Sequence, residues 1–384
     1  MDSVARPRET MRGLPRALQG YLTWVTGIPL EGERPIVRWT PARAGLLGAC
    51  QIAAGVALGA SALHPFRAWS LPCLLLSWLI TAGGMRRLDV VVVHQTLHRM
   101  VTRAGRRDRL VAEIITTLMW RMPYEENRKE HLLHHRYPCS MKDGDTRYLL
   151  STGMRPGMSR PEFHRYLLGA LLSPAHHWRF FSSRIRANFV GVRPRSRLAM
   201  SLVFLAATIG FLACTGLWLE WLVLWVLPLS FFFQAATFLY TQTEHRWWVF
   251  ANAEKLTKEQ RDFLTFGRMC GDPAPGPEVV GAFRRAAAWA RWWLRLFFVH
   301  STYRMFVLVG DTLHHDLHHI HPGCDWPNSD YERVEKASGS TRYSEVWGSL
   351  IDHLYAAGMV RGPTAAESAA PPIDAISAQR SEPS

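Results

Sequence analysis

Four stretches of the 384-residue chain are apolar and free of charge over membrane-like lengths: Ala44–Leu63, Ala68–Met85, Leu198–Leu219 and Trp221–Tyr240. A hydrocarbon layer about 30 Å thick is crossed by roughly 20 helical residues. The first, third and fourth stretches therefore predict transmembrane helices; the second, at 18 residues, is slightly short. The links inside each pair are minimal, His64-Pro-Phe-Arg67 in the first and Glu220 in the second. Each pair reads as a helical hairpin that returns the chain to its starting side. The pattern predicts an all-α polytopic fold, with four spans as two hairpins and the polar segments gathered into a helical cap.

Two further stretches, Ala287–Val299 and Leu171–Val190, mix Arg with Trp and Phe and are too polar to span. They predict helices lying in the headgroup plane or packed in the cap. Residues 1–43 read as an N-terminal polar segment, 44–361 as the membrane domain and 362–384 as a disordered tail.

Charge orients this plan. The formal net charge is +14, with a sequence pI near 10. Seven Arg lie in residues 1–43, and 86–197 carry 22 Lys plus Arg against nine Asp plus Glu, whereas the short links hold a single Arg. Positive charge collects on the cytoplasmic side. Both termini and both long polar segments are expected there, in a bacterial inner membrane. The basic residues flank spans and form no recognition module, which argues against nucleic acid as a partner. The six Cys form no C-x-x-C pair, so no zinc ribbon or disulfide framework is expected. The N-terminal 20 residues lack an apolar core, so no cleaved signal peptide is expected.

Histidine carries the candidate chemistry. Three clusters stand out: His94-Gln-Thr-Leu-His98, His131-Leu-Leu-His134-His135 and His315-Asp-Leu-His318-His319. On a helix, residues i, i+3 and i+4 share one face. Each cluster therefore presents two or three imidazoles together, and imidazole suits iron, copper and zinc. Eight rings exceed the four to six ligands of one metal, so two metals are the simpler count. In the third cluster spacing leaves two registers open, because His314, His318 and His321 also share a face.

This order of boxes, H-x3-H, H-x2-H-H and H-x2-H-H, with two membrane hairpins and a long gap before the last box, resembles the integral-membrane fatty acid desaturases. The related alkane hydroxylases share the plan. The resemblance covers about 44–355 and is specific in the boxes. It implies a di-iron centre at the cytoplasmic end of a four-helix bundle, with His94, His98, His131, His134, His135, His315, His318 and His319 as ligands. It suggests His245, just after the fourth span, as a ninth ligand; Glu244-His245 is similar to the E-H motif of the hydroxylases. It favours the His315 register, leaving His314 and His321 as neighbours. Asp143 and Asp145 follow box two in an H-H…D-x-D pattern. With Asp89 and Asp316, they are either carboxylates that orient ligands or solvated acids.

The resemblance further implies O2 as co-substrate and a fatty acyl or lipid substrate, presented as lipid, acyl-CoA or acyl carrier protein. Desaturation is the first expectation and hydroxylation the alternative. The chain has no flavin, iron–sulfur or fused haem motif, so electrons are expected from an external acidic carrier such as a ferredoxin or rubredoxin. A metal transporter would place polar ligands inside its spans. The four stretches contain no His, Asp or Glu.

Overall fold

A computed structural model of the protein describes residues 6–155, 157–247 and 255–359. The tail expected from 362 onward lies outside the described residues.

Helix α1 (Arg16–Thr26) leads through an irregular strap to α2 (Pro41–Leu63). The Thr40 hydroxyl accepts from Arg43 N and Pro41 supplies a preset φ, so α2 starts where an N-cap and an N1 proline coincide. The buried positions of α2 are Ala44, Gly48, Gly55, Gly59 and Ala62. This stripe of small residues lets α3 (Ser70–Arg86) pack antiparallel at near backbone contact. Ser77 Oγ donates to the Gly55 carbonyl at 2.6 Å. A Cβ on Gly84 would stand 2.7 Å from the Gly48 oxygen. Close approach through small residues is how helices associate where solvent offers no hydrophobic drive.

The chain does not leave the helix at Arg86. A π-helical turn, Arg87–Val93, carries it on to His94–Leu97 and so presents box one beyond the apolar stretch. Helix α4 (Gly105–Leu118) and α5 (Tyr124–Arg136) follow, and box two lies on α5. The second hairpin is α6 (Arg195–Thr215) and α7 (Trp218–Glu244).

Among the described residues three helices, α2, α6 and α7, are long and apolar enough to cross a membrane. The second expected span is shorter than read, 17 residues, because two turn residues, Ala68 and Trp69, precede a start at Ser70. The break in the second hairpin also moves. Gly216, at φ 72°, ends α6 in a left-handed cap, so the turn falls there and not at Glu220. Glu220 instead lies in the first turn of α7, with its Oε1 2.8 Å from His64 Nε2. The two short links therefore meet at one end of the bundle. On α6 the apolar Leu202, Val203, Ile209 and Phe211 all point outward and exposed.

The two amphiphilic stretches are helical, Pro174–Phe189 and α8 (Ala282–Arg295). Phe283 and Phe298 are among the exposed apolar residues around α8, while Trp292 is buried. The chain is mostly helical but not all-α. Strands β1 (Gly267–Cys270) and β2 (Glu345–Gly348) form a parallel pair, Gly267 opposite Glu345. Four residues carry too short a pattern to announce a strand. Box three sits on α9 (His315–Ile320), held by α10 (Ser329–Ala337).

Candidate metal centre

Nine imidazoles converge at the end of the bundle away from the two links. They fall into two groups whose ligand nitrogens lie within 4.8 Å of one another: His94, His98, His131, His135 and His318 in the first, and His134, His245, His315 and His319 in the second. The division cuts across the boxes. On α5, His131 and His135 share a face and join the first group, while His134, one turn aside, joins the second. On α9 the arrangement is reversed, His318 going to the first group and His315 with His319 to the second. Two short helices thereby straddle both groups.

The rings meet through Nε2. His94 and His318 approach at 2.7 Å, His98 and His131 at 2.6 Å, and His135 and His318 at 3.0 Å. In the second group His245 lies 3.1 Å from His134 and 3.2 Å from His315, and His319 lies 3.2 Å from His134.

Burial keeps most of these rings uncharged. Desolvation, reinforced by neighbouring imidazoles or Arg side chains, holds His94, His131, His135, His245, His315, His318 and His319 well below the ordinary imidazole value. Burial, with Arg128, brings His98 down to about 4. His134 departs from this pattern. Burial alone would depress it, but the Asp143 carboxylate outweighs that and holds the ring up at about 10.

Imidazole lone pairs aimed at one another at about 3 Å repel unless a proton or a metal cation lies between them. Imidazole–metal bonds of about 2.0–2.1 Å put adjacent donors roughly 3 Å apart, so the residues present fit two metal ions. The all-nitrogen donor set suits iron, copper, zinc or nickel.

The fatty acid desaturase family model matches residues 68–337. The chain belongs to the fatty acid desaturase family. No curated protein matches it significantly. Family membership makes it an oxidoreductase, a membrane enzyme of fatty acyl chains of a kind that typically uses iron. All nine imidazoles lie inside the matched region, whereas α1, α2 and β2 lie outside it.

The remaining sequence-derived candidates take different places in this member of the fatty acid desaturase family. Asp143 Oδ1 lies 3.1 Å from His134 Nδ1, and Asp143 also accepts from Thr146 Oγ1 and Asp145 N. Asp145 is partly exposed, with Oδ2 3.5 Å from the same His134 nitrogen. Glu244 Oε1 lies 3.4 Å from His315 Nε2 and accepts from the Tyr240 hydroxyl at 2.8 Å.

Four candidates do not touch the nine converging rings. Asp89, in the π turn, pairs with Arg121 at 2.9 Å. Asp316 is fully buried in a fork with Arg333, 2.7 Å to its NH2 group, and so fastens α9 to α10. The Asp316 carboxylate is spent on this guanidinium rather than on a neighbouring ring. His314 joins neither group; it is buried, with Nδ1 2.9 Å from Ser329 Oγ and Nε2 2.8 Å from the Gly27 carbonyl. His321, after the end of α9, is only partly buried and outside both groups.

Sequence reasoning missed Gln95, whose Nε2 donates to Asp311 at 2.8 Å beside the first group. It also missed Arg333. Both contacts join residues on separate elements, and no local spacing signals them.

Proposed function

We propose that this desaturase-family protein is an O2-dependent di-iron enzyme that introduces a C=C bond into a fatty acyl or lipid chain. One observation carries the reading. A void of about 10 Å³ touches both imidazole groups, at His94 and His318 of the first and His315 of the second, and its other walls are Val90, Tyr240, Asp311 and Thr312. A single atom-sized group held there would face rings of both imidazole groups.

One iron would be held by His94, His98, His131, His135 and His318, the other by His134, His245, His315 and His319. Bound iron supplies O2 activation and the oxidising power to take hydrogen from an unactivated C–H. The chain supplies position and shielding. Val90 and Tyr240 confine the reacting segment. Asp143 holds the His134 ring by its far nitrogen, fixing the orientation of Nε2.

A separate polar cleft, lined by Arg121, Lys129, Arg147, Glu126 and Glu130 among others, reaches His131 and His134. Electrons from an external carrier of the ferredoxin or rubredoxin kind would reach the rings from that side; the basic excess of the chain as a whole favours an acidic carrier, while the cleft itself sets Glu126, Glu130, Asp143 and Asp145 against Arg121, Lys129 and Arg147. The substrate is a lipid, an acyl-CoA or an acyl carrier protein conjugate. The architecture in this reading is four spans, α3 included, in a bacterial inner membrane, with the metal end and both termini cytoplasmic.

Hydroxylation is the second reading. It is favoured by Glu244, which brings a carboxylate to His315 in the E-H arrangement. Mass spectrometry of lipids from a host expressing the chain distinguishes the two. Desaturation removes two hydrogens, and hydroxylation adds one oxygen. Lipids identical to those of a host expressing His315→Ala contradict both.

A further inference from the structure

A cavity of about 340 Å³ lies beside the metal end of the molecule, between α1, the strap 35–39, the start of α2 and the start of α10. Its size falls in the range of small-molecule sites, roughly 300–1,000 Å³. Trp24, Ile36, Val37, Trp39, Leu47 and Trp326 give it mostly apolar walls. Asp311 lines both this cavity and the small void between the imidazole groups, so the two spaces meet at one residue.

One charged group here is left wanting a partner. Arg87 lines the cavity and is only 7% exposed. Its Nε donates to Gln51 Oε1 at 2.9 Å. Among the described residues its two terminal nitrogens make no hydrogen bond and no carboxylate reaches ion-pair distance, although the Asp311 carboxylate across the cavity favours its charge and Arg304 opposes it. The other charges at the cavity are engaged. Arg304 donates to the carbonyls of Trp24, Leu308 and Gly310. Asp330 lies opposite Arg304 and 3.7 Å from His314 Nδ1. Asp311 accepts from Gln95. The remaining four N–H donors of Arg87 face the cavity. A planar or tetrahedral oxyanion would satisfy them bidentately.

The strap covering the cavity is pinned at its far end. Trp39 N donates to Asn328 Oδ1 at 2.9 Å, and Asn328 Nδ2 donates to the Trp39 carbonyl at 3.0 Å. Ile36 of the strap (80% exposed) lines the cavity's open edge, and Leu46 (64% exposed) stands outside it at the apolar start of α2. An amphiphile with its chain in the bilayer would present its polar end at this level.

We infer that this cavity receives the anionic end of the substrate, a carboxylate or phosphate ester on an acyl chain, with Arg87 as its counter-ion. The inference rests on the acyl-chain reading above and narrows it to acidic amphiphiles. The walls from Gly20 to Leu47 fall outside the family match, whereas Arg87 lies within it.

Trp24, Trp39 and Trp326 report occupancy without any turnover. Metal-free protein in zwitterionic nanodiscs is titrated with a dibrominated fatty acid, its methyl ester, and a dibrominated lysophosphatidic acid, while tryptophan fluorescence is followed. The acid, the lysophosphatidic acid or both should quench at about tenfold lower concentration than the ester, and the stronger arm names the headgroup. Arg87→Gln should erase that preference, and Leu47→Trp, which fills the cavity and keeps Arg87, should remove specific quenching in all arms. Equal quenching by acid, phosphate and ester in the wild-type protein overturns the proposal even if Arg87→Gln does not fold. So does a preference that survives Arg87→Gln, or quenching that survives Leu47→Trp. Because iron is absent throughout, lack of desaturase activity leaves this result standing.

Discussion

His134 is held from both sides: its Nδ1 lies 3.1 Å from Asp143 Oδ1 and its Nε2 lies 3.1 Å from His245 Nε2. The carboxylate fixes which nitrogen faces the other rings, and it is the reason this imidazole alone among the nine is held above its ordinary value. Asp143→Asn keeps the side-chain cap on the Gly144 helix but removes the charge. Loss of such a partner weakens metal affinity about 10–100-fold. Iron content measured after dialysis against a mild chelator should fall toward one per chain, with the second group emptied.

In the third box His315, His318 and His319 join the converging rings and His314 does not. His314→Ala deletes bonds to Ser329 and to the Gly27 carbonyl that join the box to α10 and α1. It should lower stability by about 1–3 kcal/mol and leave iron content unchanged. His321→Ala should stay near wild type. His315→Ala, His318→Ala and His319→Ala should each lose iron. Iron loss from His314→Ala equal to that from His318→Ala would mean the other register.

His353 gives a pH signature away from the metal centre. Its Nε2 lies 3.2 Å from the Met269 carbonyl and 3.1 Å from the Val346 carbonyl, bridging β1 and β2, while Nδ1 faces the Tyr303 hydroxyl. Burial, with Arg268 nearby, brings its pKa down to about 3 in the folded protein, against about 6.5 unfolded. Below 6.5 the unfolded state binds the extra proton. Stability is therefore fully present above about pH 6.5 and is lost progressively as pH falls toward 3. At pH 5.5 the loss from this residue is about 1.4 kcal/mol. His353→Gln should make the thermal midpoint less sensitive between pH 7.5 and 5.5; an unchanged pH dependence would show that the ring is already charged.

The sequence and the structure part company at identifiable residues. The i, i+3, i+4 spacings of His131, His134 and His135 and of His315, His318 and His319 announce shared helix faces, because one helix turn is enough to fix them. The distribution of those rings between two groups was not legible. It depends on how α5 and α9 cross, which no local pattern encodes. Glu220 looked like the hairpin turn because charge is scarce in membrane stretches, but the left-handed backbone of Gly216 ends the helix first. Asp316 looked like a ligand's partner from its place inside the box; Arg333 on the next helix claims it. The cavity at Arg87 joins segments as far apart as Trp24 and Tyr331, and only the folded chain assembles it.

The central claim is that neighbours on one helix serve two different metals, and iron stoichiometry tests it most directly. Elemental analysis of anaerobically iron-loaded protein should give close to two irons per chain. His131→Ala and His134→Ala, three residues apart on α5, should each give close to one, and the double variant close to none. Saturation of the wild-type chain at a single iron would contradict the account, as would a zinc-filled protein that turns over without O2.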